Sequence, residues 1–195
     1  MDNIRFVNEN DISRILEIYA PYIQQSVVSF EYELPSLSTF RTRVEDIQKS
    51  YPYIVYEIDY IIVGYAYAHR YQERDAYKWN VELSIYVDKK YCKRGIGSSL
   101  MATMISLLKQ QHIQNIHSCI TIPNDKSIQL HKAFGFREVG VFMHSGYKDG
   151  LWLDVLWMEK TIGDLDTPQK VVNIHSISQA IIEEILVQHK KTRET

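Results

Sequence analysis

The stretch that leaves this chain the fewest folds is WNVELSIYV, followed three residues later by YCKRGIGSSL. Its first nine residues alternate: Val81, Leu83, Ile85 and Val87 share one face, and Glu82, Ser84 and Tyr86 the other, which is the period of a strand. A helical pattern follows from Gly95 to about Gln111, with Leu100, Met104, Leu107 and Leu108 inward. A second strand, IHSCITI, comes after it. A strand returned by a helix to another strand pairs with it in parallel, so this unit predicts a sheet covered by helices.

The rest of the chain fits around that unit. Ile4 to Phe6 reads as a first strand. Ile12, Ile15, Leu16, Tyr19, Tyr22 and Ile23 then recur at helical spacing, capped by Asn10 or Asp11 and kinked or ended by Pro21. QSVVSFEYELPS is a loop, and SLSTFRTRVEDIQKS a second helix with Phe40, Val44 and Ile47 on one face. YPYIVYEID and YIIVGYAYAHRY form a hairpin, in which Gly64 marks a bulge or a close backbone approach. After IHSCITI, the segment NDKSIQLHKAF is a helix ended by Gly135, and FREVGVF and LWLDVLWMEK are closing strands. The class is therefore α/β with a mixed sheet.

Residues 163–195 differ in pattern: GDLDTPQK is a linker, and HSISQAIIEEILVQHKK is one amphipathic helix. Ser176 with Gln179 matches a capping box, and Ile177, Ile181 and Ile185 line an apolar face. That face either packs back on its own domain or meets a partner subunit.

Composition sets limits. A chain of 195 residues with 45 % apolar and 24 % charged residues has the balance of a soluble globular protein. A net charge of −2 supplies no general pull toward nucleic acid or anionic lipid. Cys92 and Cys119 make no disulfide framework and suit a reducing compartment. No signal peptide or apolar run of about 20 residues is present, so a cytoplasmic location is expected. The 14 tyrosines, against 6 phenylalanines, fit either an aromatic-lined cleft or side chains that straddle core and surface.

Three groups of residues carry chemistry. Lys93-Arg94-Gly95-Ile96-Gly97-Ser98 opens a helix with glycines that let an anion approach successive N–H groups. It lacks the GK[ST] of a Walker loop and the third glycine of a dinucleotide fingerprint, and a plain turn is its structural alternative. Asn124, Ser127 and His131 share one helix face, where Asn124 is either an N-cap or a ligand contact. Glu82 is a mid-strand carboxylate, either solvated or held in a cleft as a general base.

Together these segments resemble the GNAT superfamily of acyl-CoA N-acyltransferases, in its phosphinothricin and methionine sulfoximine N-acetyltransferase-like branch. The signature Q/R-x-x-G-x-G/A stands here as Cys92-Lys93-Arg94-Gly95-Ile96-Gly97, with Cys92 where Gln or Arg is usual. IYAPYIQQSVVSFEYELPS, PNDKSIQLHKAFGFREVG and GYKDGLWLDVLWMEK extend the likeness, which spans residues 1–162 and leaves the tail outside.

The resemblance implies the GNAT fold, a mixed central sheet flanked by helices, here with an extra C-terminal helix. It implies acetyl-CoA as co-substrate without a metal. Ile85, Tyr86 and Val87 would run along the pantetheine arm, Lys93 to Ser98 would hold the pyrophosphate, and Asn124 and Ser127 would contact the cofactor's far arm. Glu82 would be the general base, and His131 would protonate the departing thiolate or assist the base. A backbone N–H on a bulged strand would stabilise the oxyanion.

The implied acceptor is a small amino-acid-like molecule of the phosphinothricin, methionine sulfoximine or methionine sulfone type. Its pocket would draw on Phe30, Glu31, Arg74, Tyr77, Lys78 and Tyr147, with Gln72 where relatives often carry Arg. A homodimer is the family expectation. Two other readings stay open: an acceptor that is a protein N-terminus or a polyamine, the latter favoured by Glu31, Glu33 and Asp75, and a non-catalytic acyl-CoA sensor.

Overall fold

The computed structural model describes residues 1–190; the last five residues of the expected tail, 191–195, lie outside that range. Seven strands form one sheet: β1 (Asp2–Phe6), β2 (Tyr53–Ile58), β3 (Ile61–Arg70), β4 (Asn80–Val87), β5 (Asn115–Ile122), β6 (Arg137–Lys148) and β7 (Leu151–Thr161). Their spatial order is β1-β2-β3-β4-β5-β7-β6. Only β4 and β5 run parallel, as the crossover through α3 (Ile96–Gln110) requires.

Each face of the sheet carries its own core. On one side α3 packs Leu100, Met104, Leu107 and Leu108 against Val81, Leu83, Ile116 and Ile120. On the other, α1 (Ile12–Gln24) and α2 (Leu37–Gln48) cover Tyr53, Val55 and Tyr65 with Ile15, Tyr19, Ile23, Phe40 and Val44. Gly64 fulfils both expectations for it. The β2–β3 register slips between Tyr56 and Glu57, and a Cβ at Gly64 would sit 3.1 Å from Ile96 Cγ2 and from the Tyr86 carbonyl.

Three local expectations need correction. Of the two outcomes expected at Pro21, a kink or an end, the end does not occur: α1 continues to Gln24, with Ile23 in its last turn buried in the core. The final helix, α5 (Gln179–Gln188), is capped by Ser178 rather than Ser176, which lies in a short 3₁₀ turn. That shift moves its buried face to Ile182 and Ile185, which join the α3 core, while Ile181 is exposed. The apolar face of the tail is thus used within the chain. Finally, β6 extends well past FREVGVF to Lys148 and turns into β7 through Asp149 and Gly150, both at positive φ, as a two-residue hairpin demands.

Candidate active site

β4 and β5 pair over three positions only: Asn80 with Asn115, Val81 with Ile116, and Glu82 with His117. Beyond Glu82 the two strands part. The other edge of β4 stays in unbroken register with β3 from Val81 to Val87. The Asp88 N–H donates to the Val63 carbonyl at 2.8 Å, so alternation turns the backbone groups of Leu83, Ile85 and Val87 toward the opening. An open strand edge of this kind can accept an extended, amide-bearing chain as an added strand.

Glu82 stands at the head of that opening. His69 on β3 and His117 on β5 are its cross-strand neighbours on the same face. Burial raises the carboxyl above the ordinary range, and the nearby His69 opposes that shift only in part. A carboxylate pushed upward yet still reached by solvent is suited to accepting a proton. His117 is held by stacking on Tyr71 at 4.3 Å and by a 3.3 Å contact to Asn80 Oδ1, and burial lowers its pKa. Partial desolvation, helped by the Glu82 charge, pushes the thiol of the solvent-exposed Cys119 up to about 12, which leaves little thiolate at neutral pH.

At the far end of β4 the chain enters α3 through Gly95, whose φ of 78° places it in the left-handed region. Lys93 also has positive φ, at 64°. The Ser99 N–H finds the Gly95 carbonyl at 3.0 Å; the N–H groups of Ile96, Gly97 and Ser98 ahead of it are the orphan donors of a helix start. Lys93, Arg94 and Ser98 are exposed beside them, with the Arg94 guanidinium 5.1 Å from the centre of the Tyr91 ring. The turn has the geometry of an anion cradle.

α4 (Asp125–Ala133) contributes differently from the strand. Asn124 is its N-cap, accepting from the Ser127 N–H at 3.4 Å. His131 is buried, and desolvation lowers its pKa. Its Nδ1 lies 2.7 Å from the Ser127 carbonyl, which makes Nδ1 the protonated nitrogen, and Nε2 lies 3.0 Å from Ser118 Oγ. Ser118 neighbours His117 along β5, and adjacent strand residues point to opposite faces. Glu82 and His131 therefore approach the sheet from opposite sides.

The six expected acceptor residues are spread over several elements. Glu31 lies at a tyrosine-lined cavity under α2, and Arg74 and Tyr77 line an open surface depression with Tyr71, Gln72 and Glu73. Phe30 lies against Gly146 of β6, where a Cβ would meet its ring at 2.3 Å. Tyr147 is half exposed on β6, packed on Trp152, and its carbonyl accepts from the Tyr32 hydroxyl. Lys78 lies over the Trp79 ring at 4.5 Å, on the side where Trp79 donates to Gln169 of the tail.

The acetyltransferase (GNAT) domain profile matches residues 4–157. The chain belongs to the GNAT acetyltransferase family. Among relatives, phosphinothricin N-acetyltransferase of Streptomyces viridochromogenes is 31 % identical over 87 % of this chain and 92 % of its own. L-methionine sulfoximine/L-methionine sulfone acetyltransferase of Salmonella typhimurium is 26 % identical over 85 % of this chain and 97 % of its own. The crystal structure of a GNAT superfamily phosphinothricin acetyltransferase from Sinorhizobium meliloti in complex with AcCoA superposes with a TM-score of 0.83 at 30 % identity, covering 88 % of this chain and 95 % of that one.

Two residues of this GNAT acetyltransferase escaped the sequence reading. Tyr22 of α1 places its hydroxyl 2.6 Å from the Val87 carbonyl and 3.4 Å from the Val87 nitrogen, on the open edge of β4. Lys148, buried at the end of β6, donates from Nζ to the carbonyls of Ile23 at 2.7 Å, Ser26 at 3.0 Å and Ser29 at 2.7 Å. It thereby fixes the loop that carries Phe30 and Glu31. Neither has a local signature, since each bond joins residues far apart in the chain. Lys148→Met would leave three carbonyls short of a donor, at roughly 1–3 kcal/mol for each left unsatisfied. We expect the denaturant midpoint to fall by the equivalent of about 3 kcal/mol or more. An unchanged midpoint would show that the loop holds itself.

Proposed function

We propose that this protein transfers the acetyl group of acetyl-CoA to the amino group of a small amino-acid-like acceptor, with Glu82 as general base. The observation that carries this is the placement of Glu82, upward-shifted and half-buried, where β4 and β5 part. The acceptor reaches the site as an ammonium and must lose a proton, to Glu82 directly or through a water, before its nitrogen can attack. The nitrogen then bonds to the thioester carbonyl carbon, the C–S bond breaks, and CoA leaves as a thiolate that ends as the thiol, taking up the second proton the nitrogen must shed. An N–H on the open edge of β4 is placed to meet the oxyanion, a role the unbroken register gives to Leu83, Ile85 or Val87. The residues present suit acetyl-CoA: an open edge for its amide-bearing arm and a glycine-led helix start with Lys93 and Arg94 for its phosphates. His131, with both ring nitrogens engaged, would act through Ser118 and the neighbouring strand unless it gave up one of those bonds.

The relatives' names point to phosphinothricin, methionine sulfoximine or methionine sulfone as the acceptor type. A polyamine is less well served, because Glu31 is paired with Arg43 at 2.6 Å and Asp75 with Arg70 at 3.2 Å. We further propose a cytoplasmic homodimer. The two cysteines are unpaired, and no helix of the described residues is long and apolar enough to cross a membrane. Phe142, Met143, Leu151 and Trp152 are large apolar side chains exposed on the β6–β7 hairpin, where a second copy would cover them. The test is turnover, read as free thiol, with acetyl-CoA and a panel of amino acids, sulfones, sulfoximines and polyamines. Preference for the amino-acid analogues is expected, from a species of twice the chain mass by light scattering. Turnover only with polyamines, or none with any amine, would overturn the acceptor reading.

A further inference from the structure

Where β4 and β5 part, a stretch of chain spans the gap on the Glu82 face. It begins at Tyr22, whose hydroxyl donates to the Val87 carbonyl of β4 at 2.6 Å and whose ring meets Tyr86 edge-on at 5.1 Å. It reaches β5 at Val28, whose carbonyl accepts from Thr121 Oγ1 at 3.3 Å. Thr121 alternates with His117 and Cys119, so its buried side chain stands on the Glu82 side of the sheet. At about 3.3 Å per residue, Val87 and Thr121 lie roughly 13–17 Å along the strands from the Glu82–His117 pair. Residues 22–28 therefore bridge the opening between Glu82 and the glycine-led turn into α3.

One side chain holds that bridge. Lys148 on β6 is 3 % exposed, and its three N–H groups meet the carbonyls of Ile23 at 2.7 Å, Ser26 at 3.0 Å and Ser29 at 2.7 Å. An apolar side chain of the same length would fill the space without the cost of burying a charge, so the cation is explained by where it holds the chain. Two residues earlier, Gly146 leaves room for the Phe30 ring, which a Cβ there would meet at 2.3 Å. Residues 25–30 belong to no helix or strand, and the cation gathers their carbonyls and that of Ile23 into one shape.

Resting on the acetyltransferase reading above, we propose that Lys148 is a positioning residue for the cofactor: by fixing the bridge, it forms in advance a covered passage for the pantetheine arm of acetyl-CoA. An arm that starts at the α3 turn and ends with its thioester at Glu82 has to pass beneath residues 22–28. With the bridge fixed, the arm finds one wall already in place. With the bridge loose, binding has to order it, and immobilising even one or two side chains costs about tenfold in affinity. The adenosine and phosphate end of CoA is held at the turn and draws nothing from the bridge.

The test compares CoA with adenosine 3′,5′-bisphosphate, the fragment that lacks the arm, by calorimetry in wild type and in Lys148→Met. The variant should bind CoA about tenfold or more weakly and the fragment as wild type does, and the KM for acetyl-CoA should rise in step. Where Lys148→Met does not fold, Thr121→Val decides: it keeps the shape of the side chain and removes the bond to Val28. Its CoA affinity should fall about two- to tenfold, the worth of one neutral hydrogen bond, again with the fragment unaffected. A merely structural lysine would lower Tm and leave the ratio of the two affinities where it was. Equal weakening of CoA and fragment, unchanged CoA affinity, or an effect confined to the acceptor KM would each overturn the proposal. If wild type binds CoA yet acetylates no amine, the acetyltransfer reading fails and the isotherms still decide the passage. If wild type binds no CoA, the passage falls as well.

Discussion

Glu82→Gln is expected to lower kcat by about 10²–10⁴-fold while the KM for acetyl-CoA stays nearly constant, because the amide keeps the size of the carboxylate and loses its basicity. Steady-state kinetics with acetyl-CoA and acceptor varied independently separate the two effects. Near-full turnover in the variant would make Glu82 a structural residue and move the proton transfer elsewhere.

The same substitution has a second signature, in stability. Burial, opposed in part by His69, raises the folded-state pKa of Glu82 above its unfolded value. The folded protein therefore holds that proton more tightly than the unfolded chain. The contribution to stability is fully present below the ordinary carboxylate range and is lost as pH rises through the raised value. At neutral pH the charged side chain burdens the fold, so Glu82→Gln should melt at or above the wild-type temperature there, and this advantage should vanish in acid. A variant slower and no less stable is the pattern of a residue kept for chemistry. The wild-type kcat/KM should also climb with pH as Glu82 ionises. Repeating the profile with an acceptor of different amine pKa shows which limb belongs to the enzyme, because the acceptor's own limb moves with it.

The second large effect is expected at the start of α3. A Cβ on Gly97 would come within 3.3 Å of Leu130 Cδ2, the tip of a flexible side chain, so the fold can accommodate a larger residue there. An anion at the first turn has no such room, since the methyl groups of a valine would cover the N–H groups it must approach. Gly97→Val should raise the KM for acetyl-CoA about tenfold or more, the cost of at least one charge-assisted hydrogen bond. Acceptor KM should move much less. Calorimetric titration of CoA into the variant is the direct check, and unchanged affinity would remove the phosphate-cradle reading of this turn.

The local layer of this structure was legible in the sequence. The alternation of WNVELSIYV put Glu82 on the face opposite Val81 and Leu83, and the structure keeps it there with His69 and His117 beside it. The glycine-led entry to α3, the inward residues of that helix and the bulge at Gly64 were equally readable, because period and turn chemistry are properties of neighbouring residues. Where local rules competed, tertiary packing decided. Burial of Ile23 carried α1 past Pro21, and the choice between Ser176 and Ser178 as cap was settled by which isoleucines reach the α3 core.

What a period cannot encode is which faces meet. Nothing local says that β7 inserts between β5 and β6, or that β4 and β5 pair for three positions and then part. The clamp of Lys148 on Ile23, Ser26 and Ser29, and the Tyr22 hydroxyl on Val87, join residues up to 125 positions apart. The cavity beside Tyr67 draws its walls from α1, α2 and two strands, so its tyrosines looked in the sequence like any half-buried aromatic residues. The sequence by itself determined the elements and the kinds of chemistry they carry, because those depend on residues a few positions apart. Only the tertiary structure decided which of those side chains face a common space, because that depends on contacts whose partners the chain separates by tens of residues.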